Sequence, residues 1–248
     1  MISLSARCVL LDIEGTTSSI AFVYDVMFAY VRKHLSSFLA MNWELEGVQQ
    51  AVEQMAIDAG CSPSDWIHRS NSVQESCRRV EQHVLSLMDA DQKSTGLKSL
   101  QGILWKNGFD DGSLRAHLFP EVPSALSRWT KSGLDVRIYS SGSIAAQKLF
   151  FGHTESGDLL PFFSGHYDTT IGSKKESESY RRIADDVGCP PESIVFVTDV
   201  LAELDSAHTA GMQVIASCRP GNVELPDDIP YHRIYSFDEL DIQPSKST

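Results

Sequence analysis

Four stretches of this chain end in side chains suited to phosphoryl chemistry. In the first, the apolar run Cys8–Val9–Leu10–Leu11 delivers Asp12 onto Ile13–Glu14–Gly15–Thr16–Thr17. A carboxylate at the carboxyl end of a buried parallel strand enters the crevice where open α/β sheets bind ligands. There it can attack phosphorus and hold the phosphoryl group as an acyl phosphate. An acid after a strand is also a common N-cap or turn residue, so the other three stretches decide its weight. Ile138–Tyr139–Ser140–Ser141–Gly142–Ser143 runs into a serine–glycine turn that opens a helix, offering hydroxyl and backbone N–H groups to an anion. Taken alone, that turn reads more readily as an ordinary serine N-cap. Ile171–Gly172–Ser173–Lys174–Lys175–Glu176–Ser177 sets two lysines behind a glycine turn, and one of them could reach inward to neutralise phosphate. Ile194–Val195–Phe196–Val197–Thr198–Asp199, with Glu203 beyond, again puts carboxylates at a strand end. Asp12, Glu14 and Asp199 gathered at one edge would repel one another unless a divalent cation offset them. Few ligands, all hard oxygens, with phosphate completing the shell, is the habit of Mg²⁺.

The elements that would position these residues are legible as a pattern. Strand-like runs lie at 7–12, 136–140, 193–199 and 213–217, and helical patterns at 122–131, 144–151, 176–187 and 201–210. Strands alternating with helices from residue 120 onward predict a doubly wound parallel sheet, an α/β core covered on both faces. The interval 18–118 has helical periodicity instead. Phe22, Val26, Tyr30 with Val31, Leu35, Phe38 form one apolar stripe, and Leu45, Val48, Val52, Met55 a second. Val73, Cys77, Val80, Val84, Leu87 and then Leu97, Leu100, Leu104 supply two more. The expectation is an all-helical cap of four helices, residues 18–118, inserted into a core of residues 1–17 and 119–248. Each stripe reads first as core packing; only the loop 61–72, with Trp66 and His68 expected to be exposed, offers residues to a ligand.

Composition narrows the partners. A chain of 248 residues with 42% hydrophobic and 22% charged residues is an ordinary globular protein. A net charge of −12 argues against nucleic acid or an anionic membrane as partner, since both need clustered cations. Five scattered cysteines without a C-x-x-C spacing fit reduced thiols in a cytoplasmic compartment. The N-terminus shows no basic-then-apolar leader. A small phosphate ester is the expected partner.

The order acid, serine turn, lysine, acid resembles the haloacid dehalogenase superfamily of aspartate-based phosphatases. More closely, the runs DIEGTTSSIAFV from Asp12, YSSGS from Tyr139, FGHTESGDL from Phe151, KKESESYRRIA from Lys174, VTDV from Val197 and RPGN from Arg219 resemble the enolase-phosphatases of methionine salvage, or acireductone synthases. Glu14 departs from the Asp usual in the superfamily and matches the narrower family. The resemblance implies that Asp12 is nucleophile and metal ligand, and that Glu14 offers its backbone carbonyl to Mg²⁺ while its side chain serves acid–base chemistry. It implies Asp199 as the remaining protein ligand, and Ser140, Ser141 and Lys174 as holders of the phosphate. The reaction implied enolises 2,3-diketo-5-methylthiopentyl 1-phosphate and hydrolyses the phosphate to give 1,2-dihydroxy-3-keto-5-methylthiopentene. A monomer is the family-level expectation. The cap would exclude water and read the methylthio end, with Phe22 and Val23 as contacts or as packing. For the enolisation base, Glu14 is favoured by location over His153, His166 and the Trp66–His68 loop. Two other readings use the same residues: a Mg²⁺-dependent phosphatase of another small ester, and a receiver-like phosphoacceptor signalling module.

Overall fold

The computed structural model describes residues 1–67, 72–92 and 94–245, and the chain divides into two compact units, Met1–Val23 with Arg115–Thr248, and Tyr24–Leu114. The first unit is built on strands β1 (Ile2–Ala6), β2 (Cys8–Leu11), β3 (Asp135–Tyr139), β4 (Gly165–Tyr167), β5 (Ile194–Thr198), β6 (Gln213–Ser217), β7 (His232–Ile234) and β8 (Leu240–Pro244). Six form one parallel sheet in the order β4-β3-β2-β5-β6-β7, and β1 pairs with β8 in a separate parallel ribbon. Strand β2 lies between β3 and β5, with Cys8 opposite Asp135 on one side and Ile194 on the other. The chain fills the sheet from β2 toward β4, then returns to fill it from β5 toward β7. The carboxyl ends of β2 and β5 therefore flank the reversal of strand order, where ligands of open α/β sheets bind.

The second unit holds α1 (Ala29–Asn42), α2 (Glu46–Asp58), the short α3 (Pro63–Ile67), α4 (Val73–Asp89) and α5 (Thr95–Asp110). A π-helical segment, Phe22–Phe28, leads into α1 across the boundary between the units. Ser72 and Ser94 cap α4 and α5, their hydroxyls accepting from the N–H groups of Glu75 and Leu97. Val31, Leu35, Phe38, Val48, Val52, Met55, Cys77, Val80, Val84, Leu97, Leu100 and Leu104 are buried along the expected stripes. Val26 is exposed instead, because the wider π turn takes an i+4 residue off the face that an α-helix would give it. Leu45 and Val73, at helix starts, are exposed too. Trp66 corrects the expectation of an exposed loop: it is buried on α3, its ring edge-on to His83 at 4.5 Å. The large apolar area of indole outweighs the turn chemistry around it. His68 lies outside the described residues.

The first unit continues with α6 (Val122–Lys131), α7 (Ile144–Gly152), α8 (Ser177–Val187) and α9 (Leu201–Thr209). One face of the sheet, Cys8, Leu10, Tyr139, Ile194, Phe196, Val214 and Ala216, packs in one cluster with Tyr180 and Ile183 of α8 and Leu204 and Ala207 of α9. The alternate residues Val9, Leu11, Val136, Ile138, Val195, Val197 and Ile215 are also buried. Both faces are covered, as the unbroken apolar runs require of a parallel sheet. Among the described residues no helix is long and apolar enough to cross a membrane.

Candidate active site

Asp12 follows β2 directly, and its N–H donates to the Val197 carbonyl of β5 at 3.0 Å, so the ladder runs on to place it beside Thr198. The side chain is buried. Its Oδ1 accepts from the Ile13 N–H at 2.8 Å and pairs with Lys174 Nζ at 2.8 Å. Its Oδ2 accepts from Thr198 Oγ1 at 3.2 Å. Donors on both oxygens fix the rotation of the carboxylate. Beyond it the chain turns tightly: the N–H groups of Thr16, Thr17 and Ser18 all point to the Ile13 carbonyl, and the Gly15 N–H donates to Ser18 O at 2.8 Å.

Lys174 is buried between two carboxylates, 2.8 Å from Asp12 and 2.6 Å from Glu203 Oε2. Its ammonium also lies 5.7 Å from the Tyr139 ring centroid and 5.8 Å from that of Phe196. Burial works against the charge, but the carboxylates of Asp12 and Glu203 outweigh it and hold the lysine pKa above its ordinary value. Local structure explains its placement. Gly172 takes a φ of 142°, and a Cβ there would meet Ser179 Oγ at 2.1 Å, so only glycine lets this loop lie so close to α8. Tyr139 and Tyr180 donate their hydroxyls to the carbonyls of Gly172 and Lys174 at 3.0 and 2.7 Å. Lys175, its neighbour, is exposed. Thr198 Oγ1 lies 2.8 Å from Glu203 Oε2 as well as near Asp12, so its single proton serves one acid at a time.

Asp199 approaches the turn from β5. A Cβ built on Gly15, whose φ is +70°, would lie 2.3 Å from Asp199 Oδ2 and 2.9 Å from Asn222 Oδ1, so the two side chains and the bare glycine share one cradle. Burial, and next to it the negative charge of Asp12, pushes Asp199 up to about 7. The same two causes, burial first, push Glu203 up to about 7. One lysine thus does not balance this set of acids, and a divalent cation would. Among the described residues no three His, Cys, Asp or Glu side chains form a metal-holding group by themselves. A cation here would take Asp12 and Asp199 from the protein and complete its shell from a backbone carbonyl, water and ligand oxygens. That donor set suits Mg²⁺.

The serine turn follows β3, the other neighbour of β2. Ser140 is buried, its N–H donating to Tyr167 O at 3.1 Å and its Oγ accepting from the Gly142 N–H at 3.2 Å. The helix cap is Ser143, whose hydroxyl accepts from Ala146 N–H. Ser140 and Ser141 are therefore not the caps of α7. Gln147 Nε2 donates to the carbonyls of Gly142 and Tyr167, both at 2.8 Å, and Asp168 accepts from the Ile144 N–H at 3.1 Å. The turn is braced from beneath.

Comparison with known proteins places this geometry. Residues 6–211 match the model of haloacid dehalogenase-like hydrolases. The enolase-phosphatase E1 of Danio rerio is 41% identical, over 96% of this chain and 95% of its own length. The chain belongs to the enolase-phosphatase E1 family of haloacid dehalogenase-like hydrolases. A Vitis vinifera relative, described as a probable bifunctional methylthioribulose-1-phosphate dehydratase/enolase-phosphatase E1, is 42% identical over 95% of this chain and 47% of its own. Among solved structures, the UTR4 protein of Saccharomyces cerevisiae superposes with a TM-score of 0.78 at 28% identity, covering 94% of this chain and 99% of the other.

Within this member of the enolase-phosphatase family, the structure brings together Asp12, Lys174 and Asp199, with Glu203 as a fourth partner. Ser140 and Ser141 stand on the neighbouring strand end, and Glu14 lies in the turn, bridged to Ser18. Sequence reading left Glu203 without a role; its spacing from Asp199, one helical turn into α9, was the available signal. Thr198 at the end of β5, Gln147 within α7, and Asp168 and Asn222 in loops were missed, because a single polar residue has no pattern of its own. The histidines have other partners. His153 Nδ1 lies 2.9 Å from Leu149 O at the end of α7. His166 Nδ1 lies 3.2 Å from Gln147 Oε1. Since the Gln147 amide nitrogen already donates twice, its oxygen must accept, which places the proton on His166 Nδ1. Burial brings His166 down to about 4, so it is neutral at pH 7. Phe22, a candidate contact, packs against His117 and Phe150.

Proposed function

We propose that this chain is a Mg²⁺-dependent enolase-phosphatase of methionine salvage, converting 2,3-diketo-5-methylthiopentyl 1-phosphate to 1,2-dihydroxy-3-keto-5-methylthiopentene and phosphate. The observation that supports it above the others is the buried Asp12–Lys174–Glu203 cluster at the reversal of strand order, in a chain 41% identical to a named enolase-phosphatase E1 over almost its full length. The name of the grape relative, which joins a methylthioribulose-1-phosphate dehydratase to an enolase-phosphatase in one polypeptide, fits a substrate supplied by dehydration of a sugar phosphate. The five unpaired cysteines suit a reducing, cytoplasmic setting.

Asp12 attacks phosphorus in line, forming the Oδ–P bond as the ester P–O bond breaks. The leaving oxygen takes a proton from the Glu14 carboxyl. Lys174, already beside Asp12, neutralises charge on the equatorial oxygens, and Ser140 and Ser141 hold the phosphoryl group. Glu14, now a carboxylate, takes a proton from the water that cleaves the Asp12 acyl phosphate. Mg²⁺ held by Asp12, Asp199 and the Glu14 carbonyl would supply charge neutralisation at the phosphoryl oxygens. In the enolisation half, which comes first, the Glu14 carboxylate takes the proton from the carbon next to the substrate carbonyl. The carboxyl so formed is the one that later protonates the leaving oxygen; Mg²⁺, when bound, would offset the charge developing on the enolate oxygen.

The test supplies the diketone phosphate with Mg²⁺ and follows acireductone absorbance together with phosphate release. Both should appear, and both should vanish in Asp12→Asn. Phosphate without acireductone would reduce the reading to a phosphatase of another ester; stable phosphorylation of Asp12 without turnover would favour a phosphoacceptor module.

A further inference from the structure

The run Arg219–Pro220–Gly221–Asn222 after β6 has no part in the reaction described, yet its side chains are tied to the catalytic turn. Proline followed by a glycine at φ +87°, with the Asn222 N–H donating to the Arg219 carbonyl at 3.1 Å, is a type II turn that brings Asn222 back against Gly15. Asn222 Nδ2 donates to the Gly15 carbonyl at 2.9 Å and to the Ser217 carbonyl at 3.2 Å. Ser217 Oγ donates to the same Gly15 carbonyl at 3.0 Å. Arg219 Nε reaches the next carbonyl, that of Thr16, at 3.2 Å. Its guanidinium is pinned by Glu121 at 2.6 Å and lies 4.3 and 5.0 Å from the ring centroids of Phe119 and Phe237.

These bonds fix more than a loop. The Gly15 N–H is held by Ser18 O, and in a trans peptide the Glu14 carbonyl must then point the opposite way. The Gly15 carbonyl, on the following peptide, is held by Ser217 and Asn222. Both peptide planes flanking Gly15 are thus set, one from within the turn and one from β6. Asn222 has a further peculiarity. Its amide orientation is fixed by its two donations, and the remaining Oδ1 is buried with no hydrogen-bond partner. That oxygen borders the Asp199 carboxylate, both lying where a Gly15 Cβ would sit. A buried acceptor left unpaired beside a carboxylate works against stability and calls for an explanation, of which a bound ion is one.

We propose that Asn222 is a positioning residue of the cation site: with Ser217 it locks the Gly15 carbonyl, so that the Glu14 carbonyl and the Asp199 carboxylate are presented to one cation. This inference rests on the Mg²⁺ site proposed above and adds the device that sets its geometry. Partners that orient first ligands typically change metal affinity by about 10- to 100-fold when removed.

Mg²⁺ binding to the full chain, measured by calorimetry without substrate, tests it. Asn222→Ala should weaken binding at least about tenfold while the metal-free unfolding midpoint stays near that of the unmodified protein, because the orphaned oxygen leaves with the amide. Ser217→Ala should weaken binding less, and the double variant more than either. Equal affinity in Asn222→Ala and the unmodified protein, with any loss confined to the unfolding midpoint, overturns the role. If Asn222→Ala does not fold, Ser217→Ala decides: unchanged Mg²⁺ affinity there overturns it equally. No Mg²⁺ binding by the unmodified protein would remove the cation reading itself, and this inference with it.

Discussion

Gly15→Ala confronts the proposed site at its tightest point. The backbone at φ +70° lies in the left-handed region, which costs an alanine roughly 1–2 kcal/mol. The added methyl would also stand 2.3 Å from Asp199 Oδ2 and 2.6 Å from its Cγ, where ordinary contact begins near 3.4 Å. The turn has little room to yield, since Gly15 is held at its N–H by Ser18 and at its carbonyl by Ser217 and Asn222. Asp199 must therefore retreat by about 1 Å, and displacements of that size in a catalytic constellation are worth on the order of 10²-fold in rate. Two effects of different size are thus expected together. Unfolding free energy in urea should fall by about 1–2 kcal/mol. The second-order constant for phosphate release should fall about 100-fold, near 2.7 kcal/mol of transition-state stabilisation. Steady-state kinetics over a Mg²⁺ titration, alongside urea unfolding of the same preparation, reads both. An alanine variant with full turnover at saturating Mg²⁺ would refute the claim that Asp199 acts from its position against Gly15.

Three other perturbations separate competing effects. Lys174→Met leaves Asp12 and Glu203 buried without their cation, a loss of about 3–5 kcal/mol; Glu203, already raised by burial and by Asp12, loses the lysine that opposes that rise and holds its proton more firmly in the folded state, so urea unfolding should show a larger deficit at pH 8 than at pH 5, and equal deficits would contradict the pairing. Gly96→Ala in α5 should destabilise despite a gain in helix propensity of about 1 kcal/mol, because its Cβ would meet the backbone nitrogen of Met55 at 2.4 Å and overpacking costs about 1–3 kcal/mol; a raised melting temperature would sink this. His166 titrates near 4 when folded and near 6.5 when unfolded, so between those values the unfolded chain binds more protons and stability rises with pH. After allowance for its partial exposure the gain is about 1–2 kcal/mol, and His166→Asn should flatten the slope of stability across that window and leave it unchanged above pH 7.

The strands that bear the chemistry were legible because burial on both faces demands apolar runs, which β2, β5 and β6 have, while β3 keeps Val136, Ile138 and Tyr139 buried around a half-buried Arg137. The strands overlooked lack that signature. Gly165–His166–Tyr167 is three residues long with no β-branched side chain, and Ile2–Ala6 alternates apolar residues with serine because one side of its ribbon faces solvent. Asp12 and Lys174 announced themselves through charge at strand ends and after glycine turns. The partners that hold them did not: Thr198 was absorbed into an apolar run, and the link from Asn222 to Gly15 spans two distant loops that only the sheet brings together. Trp66 failed for the opposite reason, since a loop-like composition concealed a helical turn with one large apolar face.

The strand that leads into Asp12 is the earliest part of the main sheet to be synthesised and among the last to be secured. Cys8 must wait for Asp135 on one flank and Ile194 on the other, while the whole of Tyr24–Leu114 is completed in between. At translation rates of roughly 5–20 residues per second, the nascent β2 stays without either neighbour for several seconds, whereas the helices that follow can draw on nearby contacts at once. Such long-range closure slows folding and leaves an apolar segment open to the wrong partner. The nucleophile is thus carried by a strand whose two neighbours lie far downstream in the chain, so the site is complete only when the whole sheet has closed.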